Sequence, residues 1–181
     1  MMSNRLQPSC SIVDARWKPP PPSFVKINFD ANYKSASKLA SLGIIIRDED
    51  GFILGASCSL SHPISSIFDV EARAAVQGIT FAYELGFRKI ILKGDSRSVV
   101  TKFNSSKENL SEISAHIWDA KVMLRNFNAS RIIFTPREGN RTTHAMAKER
   151  FYISKDRIWV EDAPPYVTHQ ADEDHRNLNP H

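Results

Sequence analysis

Alternating apolar and polar residues predict three β-strands in the first third of the chain. The clearest alternation is VKINFDANY at 25–33, where every second residue is apolar and Asp30 lies on the polar side. The dipeptide Asp50-Gly51 predicts a tight turn between the second and third strands, so that the three would form an antiparallel meander. The predicted strands cover residues 24–33, 42–49 and 52–60.

Helical spacing of apolar residues begins after the meander. A long helix is predicted between an N-cap at Ser66 and a stop at Gly86. The apolar stretch at 87–94 then predicts a buried strand, which a helical crossover would place parallel to an earlier strand. The remaining predicted elements are a short helix capped by Asp95, a helix over 110–127, a strand over 131–136, and a helix from Asn140 to about Phe151. The order β β β α β α α β α predicts an α/β fold.

The ends of the chain differ in composition from its centre. Residues 1–23 are polar and finish in WKPPPP, which predicts an extended Pro-rich leader. Residues 154–181 contain many Asp, Glu, His, Asn and Pro residues and few apolar ones, so we expect a disordered tail. One domain is therefore predicted over 24–153.

Composition and charge narrow the classes of function. The 181 residues are 41% hydrophobic and carry a net charge of +4. Residues 161–181 hold five acids and one base, which leaves 23 bases against 15 acids, or +8, on residues 1–160. A basic body suits a polyanionic partner such as nucleic acid.

The cellular location is only broadly indicated. No apolar run approaches the roughly 20 residues that span a bilayer, and the start of the chain has no signal-peptide core. Cys10 and Cys58 are the only cysteines, and neither has a partner at metal-ligand spacing. We expect a reducing intracellular compartment, either nucleus or cytoplasm, and no membrane partner.

Three acids lie where carboxylates are unusual. Asp30 lies in the middle of a strand, although it could simply face water on the polar side. Glu71 shares a helix face with small residues, where a carboxylate is costly unless paired or metal-bound; at the rim it could pair with Arg73 or Arg97. Asp95 follows a parallel strand, where α/β sheets place ligand-binding groups, but it could also be an ordinary N-cap.

The predicted topology would bring these acids together. The first and fourth strands are expected to be neighbours, and the helix with Glu71 connects the two halves of the sheet. Three converging carboxylates would repel one another unless a divalent cation bound between them. Oxygen ligands favour Mg²⁺ or Mn²⁺ over zinc.

Four segments together resemble ribonuclease H, and in particular plant ribonuclease H-like domains related to those of non-LTR retrotransposon reverse transcriptases. The segments are WKPPPPSFVKINFDA, LGIIIRDEDGFILGA, EARAAVQGITFAYELGFRKIILKGDS and REGNRTTHAMAK, and the resemblance spans roughly 17–150. It implies a five-stranded mixed sheet of order 3-2-1-4-5 flanked by helices. It also implies that Asp30, Glu71 and Asp95 match the first three of the family's four metal-binding acids.

His144 occupies the position of the fourth acid in that resemblance. A neutral imidazole binds Mn²⁺, and Mg²⁺ less well, but it adds no negative charge. We therefore expect His144 to give the second ion a weakened ligand and the site a reduced activity. The alternative is a partly exposed helix histidine, either hydrogen-bonded or merely solvated, without a catalytic role.

The resemblance implies hydrolysis of the RNA strand of RNA/DNA hybrids with two Mg²⁺ or Mn²⁺ ions. Asp30 would bridge both ions, and the protein is expected to act as a monomer. One alternative is a nucleic-acid-binding domain that has lost turnover, and another is a different nuclease of the same fold. The residues expected to contact nucleic acid are Asn28, Asn32, Ser96, Arg137, Asn140 and Arg141.

Overall fold

The computed structural model describes residues 16–106 and 115–178 and contains six strands and five helices in those ranges. The strands are β1 (Val25–Lys34), β2 (Leu39–Arg47), β3 (Ile53–Ser61), β4 (Lys89–Gly94), β5 (Ala129–Phe134) and β6 (Arg157–Val160). The helices are α1 (Ile67–Glu84), α2 (Arg97–Asn104), α3 (Ala115–Leu124), α4 (Arg141–Glu149) and α5 (Pro165–Arg176). The predicted order of the first nine elements is confirmed.

The six strands form one mixed sheet in the order β5-β4-β1-β2-β3-β6. Strands β1, β2 and β3 form the predicted antiparallel meander, and Gly51 makes its turn with φ +87°. The helical crossover makes β4 parallel to β1, and β5 is parallel to β4. The predicted order 3-2-1-4-5 is thus confirmed, with β6 added as a sixth strand beside β3.

Helices cover both faces of the central strands. On one face α1 packs on the apolar side of β1, where Ile27 and Phe29 are buried with Ala75 and Ala82. On the other face α4 lies so close to β2 that a Cβ on Gly43 would be 2.4 Å from the backbone nitrogen of Ala147. Both sides of β1 are therefore buried, and Asp30 lies beneath α4 instead of facing water.

The prediction of a disordered tail is wrong for residues 157–160 and 165–176, which form β6 and α5. Val167 of α5 is buried in a second apolar cluster with Ile45 and Met146. Ala171 of the same helix is also buried. Asp174 forms a buried ion pair with Arg47, and the Arg47 Nη1 to Asp174 Oδ2 distance is 2.9 Å. The tail is ordered because its few apolar residues and Asp174 contact residues that are distant in the sequence.

Other boundaries differ in smaller ways. Ser66 caps α1 as predicted, but the cap of α2 is Ser96 and not Asp95. The predicted 110–127 helix is α3 over Ala115–Leu124, and its residues 110–114 lie outside the described part of the chain. Residues 1–15 of the predicted leader also lie outside it. Within the described residues, no helix has the length and apolar character needed to cross a membrane.

Candidate active site

Asp30 is the most buried of the three predicted acids, with only 4% of its surface exposed. Its Oδ1 accepts a hydrogen bond from the backbone N–H of Ala31 at 2.9 Å. Its Oδ2 lies 2.7 Å from Nδ1 of His144 in the first turns of α4. Both carboxylate oxygens of Asp30 are therefore held, and α4 contacts β1 directly at the site.

His144 is hydrogen-bonded and not simply wetted by solvent. About a quarter of its side chain is exposed, so one edge of the imidazole remains accessible while Nδ1 faces Asp30. The close approach of α4 over Gly43 places the ring at this point of the sheet. A partly exposed, hydrogen-bonded histidine on a helix agrees with both alternatives for His144, so its catalytic role stays a prediction.

Glu71 is half-buried and faces the other two acids. Burial raises the pKa of its carboxyl group, a hydrogen bond from Ser96 lowers it, and the charges of Asp95 and Asp30 raise it again. The predicted rim contacts are not formed: Arg73 pairs with Asp69 at 3.0 Å, and Arg97 stacks on Phe134. Glu71 is therefore held towards the end of β4.

Asp95 completes the cluster at the end of β4. Burial raises the pKa of its carboxyl group, and the charge of Asp30 raises it further, while Arg137 and His144 lower it. The Arg137 Nε to Asp95 Oδ2 distance is 3.7 Å, and the Arg137 side chain is 74% exposed. Asp30, Glu71 and Asp95 thus lie within electrostatic range of one another, with one solvent-exposed arginine beside them.

The donors of this cluster suit a hard divalent cation. Three carboxylates and an imidazole offer oxygen and nitrogen ligands of the kind that Mg²⁺ and Mn²⁺ accept. Within residues 16–106 and 115–178, however, no group of three or more His, Cys, Asp or Glu side chains is gathered tightly enough to hold a metal ion.

Two residues predicted to contact nucleic acid have a structural role. Asn28 and Asn140 are buried, so neither is open to a ligand. The Asn28 amide donates to Oδ1 of Asn140 at 3.0 Å, and the Asn140 amide donates to the Phe29 carbonyl at 3.0 Å. They join β1 to the 3₁₀ turn at Arg137–Asn140 that precedes α4. This correction follows from a pairing across 112 residues, which no local pattern reveals.

The other predicted contact residues lie around the cluster. Ser96 is 8% exposed and both caps α2 and hydrogen-bonds Glu71, a second role that sequence reasoning missed. Its position directly after Asp95 at the start of a helix was the available signal. Asn32 is half-buried, and Arg137 and Arg141 are exposed. These three remain predicted contacts.

The sheet order and the acidic cluster define an α/β domain of the ribonuclease H-like class. A family model described as reverse transcriptase-like matches residues 28–150, well over half of the chain. The chain belongs to this family of ribonuclease H-like domains. Among curated proteins, no sequence matches it.

Solved structures of ribonucleases H share the fold. RNase H1 from the archaeon Halobacterium salinarum NRC-1 is 22% identical, with a TM-score of 0.61 over 71% of this chain and 98% of that one. The N-terminal RNase H domain of a Mycobacterium tuberculosis protein is 19% identical, with a TM-score of 0.59 over 70% and 91%. LC11-RNase H1 in complex with an RNA/DNA hybrid is 19% identical, with a TM-score of 0.57 over 69% and 94%.

Proposed function

We propose that this protein is a metal-dependent nuclease that hydrolyses the RNA strand of RNA/DNA hybrids, with an activity reduced by His144. The observation that carries the proposal is that Asp30 of β1, Glu71 of α1 and Asp95 after β4 lie within electrostatic range of one another. Such an excess of negative charge is stable only with a cationic ligand or with altered protonation. The ribonuclease H-like family and fold support the choice of reaction.

The side chains of the proposed site have different roles. Asp30, Glu71 and Asp95 would hold Mg²⁺ or Mn²⁺, which when bound supplies a Lewis acid and an activated water. The Ala31 N–H and the Ser96 hydroxyl orient the carboxylates of Asp30 and Glu71. His144 holds Asp30 Oδ2 and would contribute a neutral ligand in place of a fourth charge.

The surface around the site is compatible with a polyanionic substrate. Arg137, which lies beside Asp95, and Arg141, the first residue of α4, are both exposed and would contact phosphate oxygens. Recognition of the hybrid would use its wide minor groove and the 2′-hydroxyls rather than base sequence. The relative named LC11-RNase H1 has been solved with an RNA/DNA hybrid, which supports the same substrate class here.

A second candidate function is nucleic-acid binding without turnover. It is favoured by the contact between His144 Nδ1 and Asp30 Oδ2, which engages an oxygen of the predicted central metal ligand. Under this alternative the protein would bind hybrids through its basic surface but would not cleave them.

Cleavage of a labelled RNA/DNA hybrid in Mg²⁺ and in Mn²⁺ separates the two functions. The wild type is expected to cut the RNA strand, Asp30→Asn to lose the activity, and the exposed control Asp50→Asn to keep it. Equal cleavage by wild type and Asp30→Asn would show that the site is wrongly assigned. Hybrid binding without cleavage in either metal would favour the binding domain, and cleavage of single-stranded RNA or duplex DNA would indicate another nuclease.

A further inference from the structure

The first turn of α4 starts without a capping side chain. Asn140 precedes the helix, but within the described chain its side chain makes no capping hydrogen bond to the N–H groups of that turn. Its amide instead donates to the Phe29 carbonyl at 3.0 Å, and its Oδ1 accepts from Asn28 at 3.0 Å. A capping side chain normally satisfies such N–H groups and stabilises the start of a helix. The position of this turn, which contains His144, therefore depends on contacts with other elements.

These contacts reach α4 on two different faces. Asn140 and His144 are four residues apart and share the face towards β1, where His144 Nδ1 lies 2.7 Å from Asp30 Oδ2. Thr142 lies between them on another face, and its hydroxyl donates to Oδ2 of Asp174 in α5 at 2.8 Å. The first turn of α4 is thus hydrogen-bonded to β1 on one face and to α5 on another.

Asp174 is itself held by the sheet. Nη1 of Arg47 in β2 donates to the same oxygen, Oδ2, at 2.9 Å, and both side chains are buried. Val167 of α5 and Met146 of α4 belong to one apolar cluster, so the two helices also pack together. A hydrogen bond to a charged acceptor is stronger than one between neutral groups. Asp174 therefore gives the buried hydroxyl of Thr142 a fixed and charged partner.

We propose that Asp174 is a positioning residue for the candidate active site. Through the Thr142 hydroxyl it holds the first turn of α4 and so keeps His144 against Asp30. This role rests on the proposed function, in which His144 takes part in the metal site. Helix α5 lies beyond residues 28–150, which the family model matches, so the contact uses a part of this chain that the family model does not include. The last helix would thereby contribute to the site without touching a ligand.

Thr142→Val isolates this contact. It removes the hydroxyl with little change of shape and leaves the ion pair between Arg47 and Asp174 in place. Thr143→Val is the matched control, because Thr143 is equally buried and its hydroxyl has no hydrogen-bond partner among the described residues. Thr142→Ser keeps the hydroxyl and should restore the behaviour of the wild type. Asp174→Ala is less suitable, because it would also leave the charge of Arg47 unpaired.

The first measurement is NMR of the imidazole nitrogens of His144 in chelator-treated protein at one fixed pH, with the signals assigned by their loss in His144→Asn. In Thr142→Val these chemical shifts should move towards those of a free imidazole, because the contact with Asp30 loosens. In Thr142→Ser and Thr143→Val they should stay at the wild-type values. Unchanged shifts in Thr142→Val would overturn the proposal, as would an equal change in Thr143→Val.

The second measurement is cleavage of the labelled RNA/DNA hybrid. Thr142→Val should cleave about 10-fold more slowly than the wild type, the lower end of the usual effect of a residue that orients a metal ligand. Thr143→Val should cleave at the wild-type rate. Displaced His144 signals together with unchanged cleavage would overturn the positioning role. A wild type without any cleavage would count against the proposed function, while the NMR comparison still decides whether Asp174 positions His144.

A second variant covers the case in which Thr142→Val fails to fold, as judged by circular dichroism. Thr142→Ala also removes the hydroxyl, and alanine is the better helix former. It should show the same displaced His144 signals and the same loss of cleavage. Wild-type signals in folded Thr142→Ala would overturn the proposal.

Discussion

Two polar clusters contact helix α4, and they differ in charge balance. In the first, Asp174 of α5 accepts hydrogen bonds from Arg47 at 2.9 Å and from Thr142 at 2.8 Å, so one anion meets one cation in the interior. In the second, Asp30 contacts His144 while Glu71 and Asp95 add further negative charge. The first cluster pairs its anion with a cation, and the second has an excess of negative charge.

This difference would distinguish a structural cluster from the proposed ligand site. A buried ion pair with both partners present is stable in place, although removal of one partner is costly. Carboxylates whose pKa values are raised by burial and by one another gain stability when a cation arrives. The charge balance of each cluster therefore indicates its role more clearly than its burial does.

The largest expected effect is on the balanced cluster. Asp174→Ala would leave the buried guanidinium of Arg47 without its carboxylate and should lower the free energy of unfolding by about 3–5 kcal/mol. Urea denaturation measures this loss. The exposed neighbour Asp172→Ala should change the free energy of unfolding by less than about 0.5 kcal/mol. Equal effects of the two substitutions would show that the Arg47 pair does not hold α5 in place.

Asp30→Asn should have the opposite profile, with a large loss of activity and little loss of stability. Substitution of a residue that only orients a metal ligand typically lowers metal affinity or activity by about 10- to 100-fold. Loss of the central carboxylate should therefore reduce hybrid cleavage at least about 100-fold. The free energy of unfolding without metal should stay the same or rise, because one repelling charge is removed. A collapse of stability would place Asp30 with the structural cluster.

Lys26 is a third case, a buried cation whose charged neighbours are also positive. Burial, followed by the charges of Lys93, Arg47 and Lys18, lowers its pKa from 10.5 to about 7. Between about pH 7 and 10.5 the unfolded chain therefore binds more protons at Lys26 than the folded protein, and stability rises with pH. Lys26→Met should be more stable than the wild type, most clearly below pH 7.

The measurement is the free energy of unfolding of wild type and Lys26→Met as a function of pH. The advantage of the variant should shrink by about 1 kcal/mol per pH unit above pH 7. An exposed control, Lys38→Met, should show no such trend. A constant difference between Lys26→Met and wild type across this range would contradict the lowered pKa.

The smallest predicted effect is a gain of activity in His144→Asp. A fourth carboxylate beside Asp30 should increase cleavage with Mg²⁺ by about 10-fold, the ratio that corresponds to about 1.4 kcal/mol of better metal binding. It should also lower stability without metal, since another negative charge joins the cluster. Added Mg²⁺ should restore that stability, which thermal denaturation can follow. Unchanged cleavage would mean that His144 already serves as well as an acid.

Local signals predicted the elements, and distant contacts account for what was missed. The Ser66 cap and the Gly51 turn are where the sequence places them, because both depend on neighbouring residues. The ordered tail was missed because Asp174 depends on Arg47, 127 residues away, and a polar composition does not show such a partner. Glu71 stood out because its carboxylate interrupts a helix face of small residues, and Asp30 because it lies in the middle of a strand.

The central claim is that Asp30, Glu71 and Asp95 form a pocket for divalent cations. Calorimetric titration of Mn²⁺ into the purified protein tests it most directly, without dependence on any substrate. Saturable binding by the wild type that each of Asp30→Asn, Glu71→Gln and Asp95→Asn weakens, but Asp172→Asn does not, is the predicted result. Absence of saturable binding in the wild type, or equal binding by all five proteins, would contradict it.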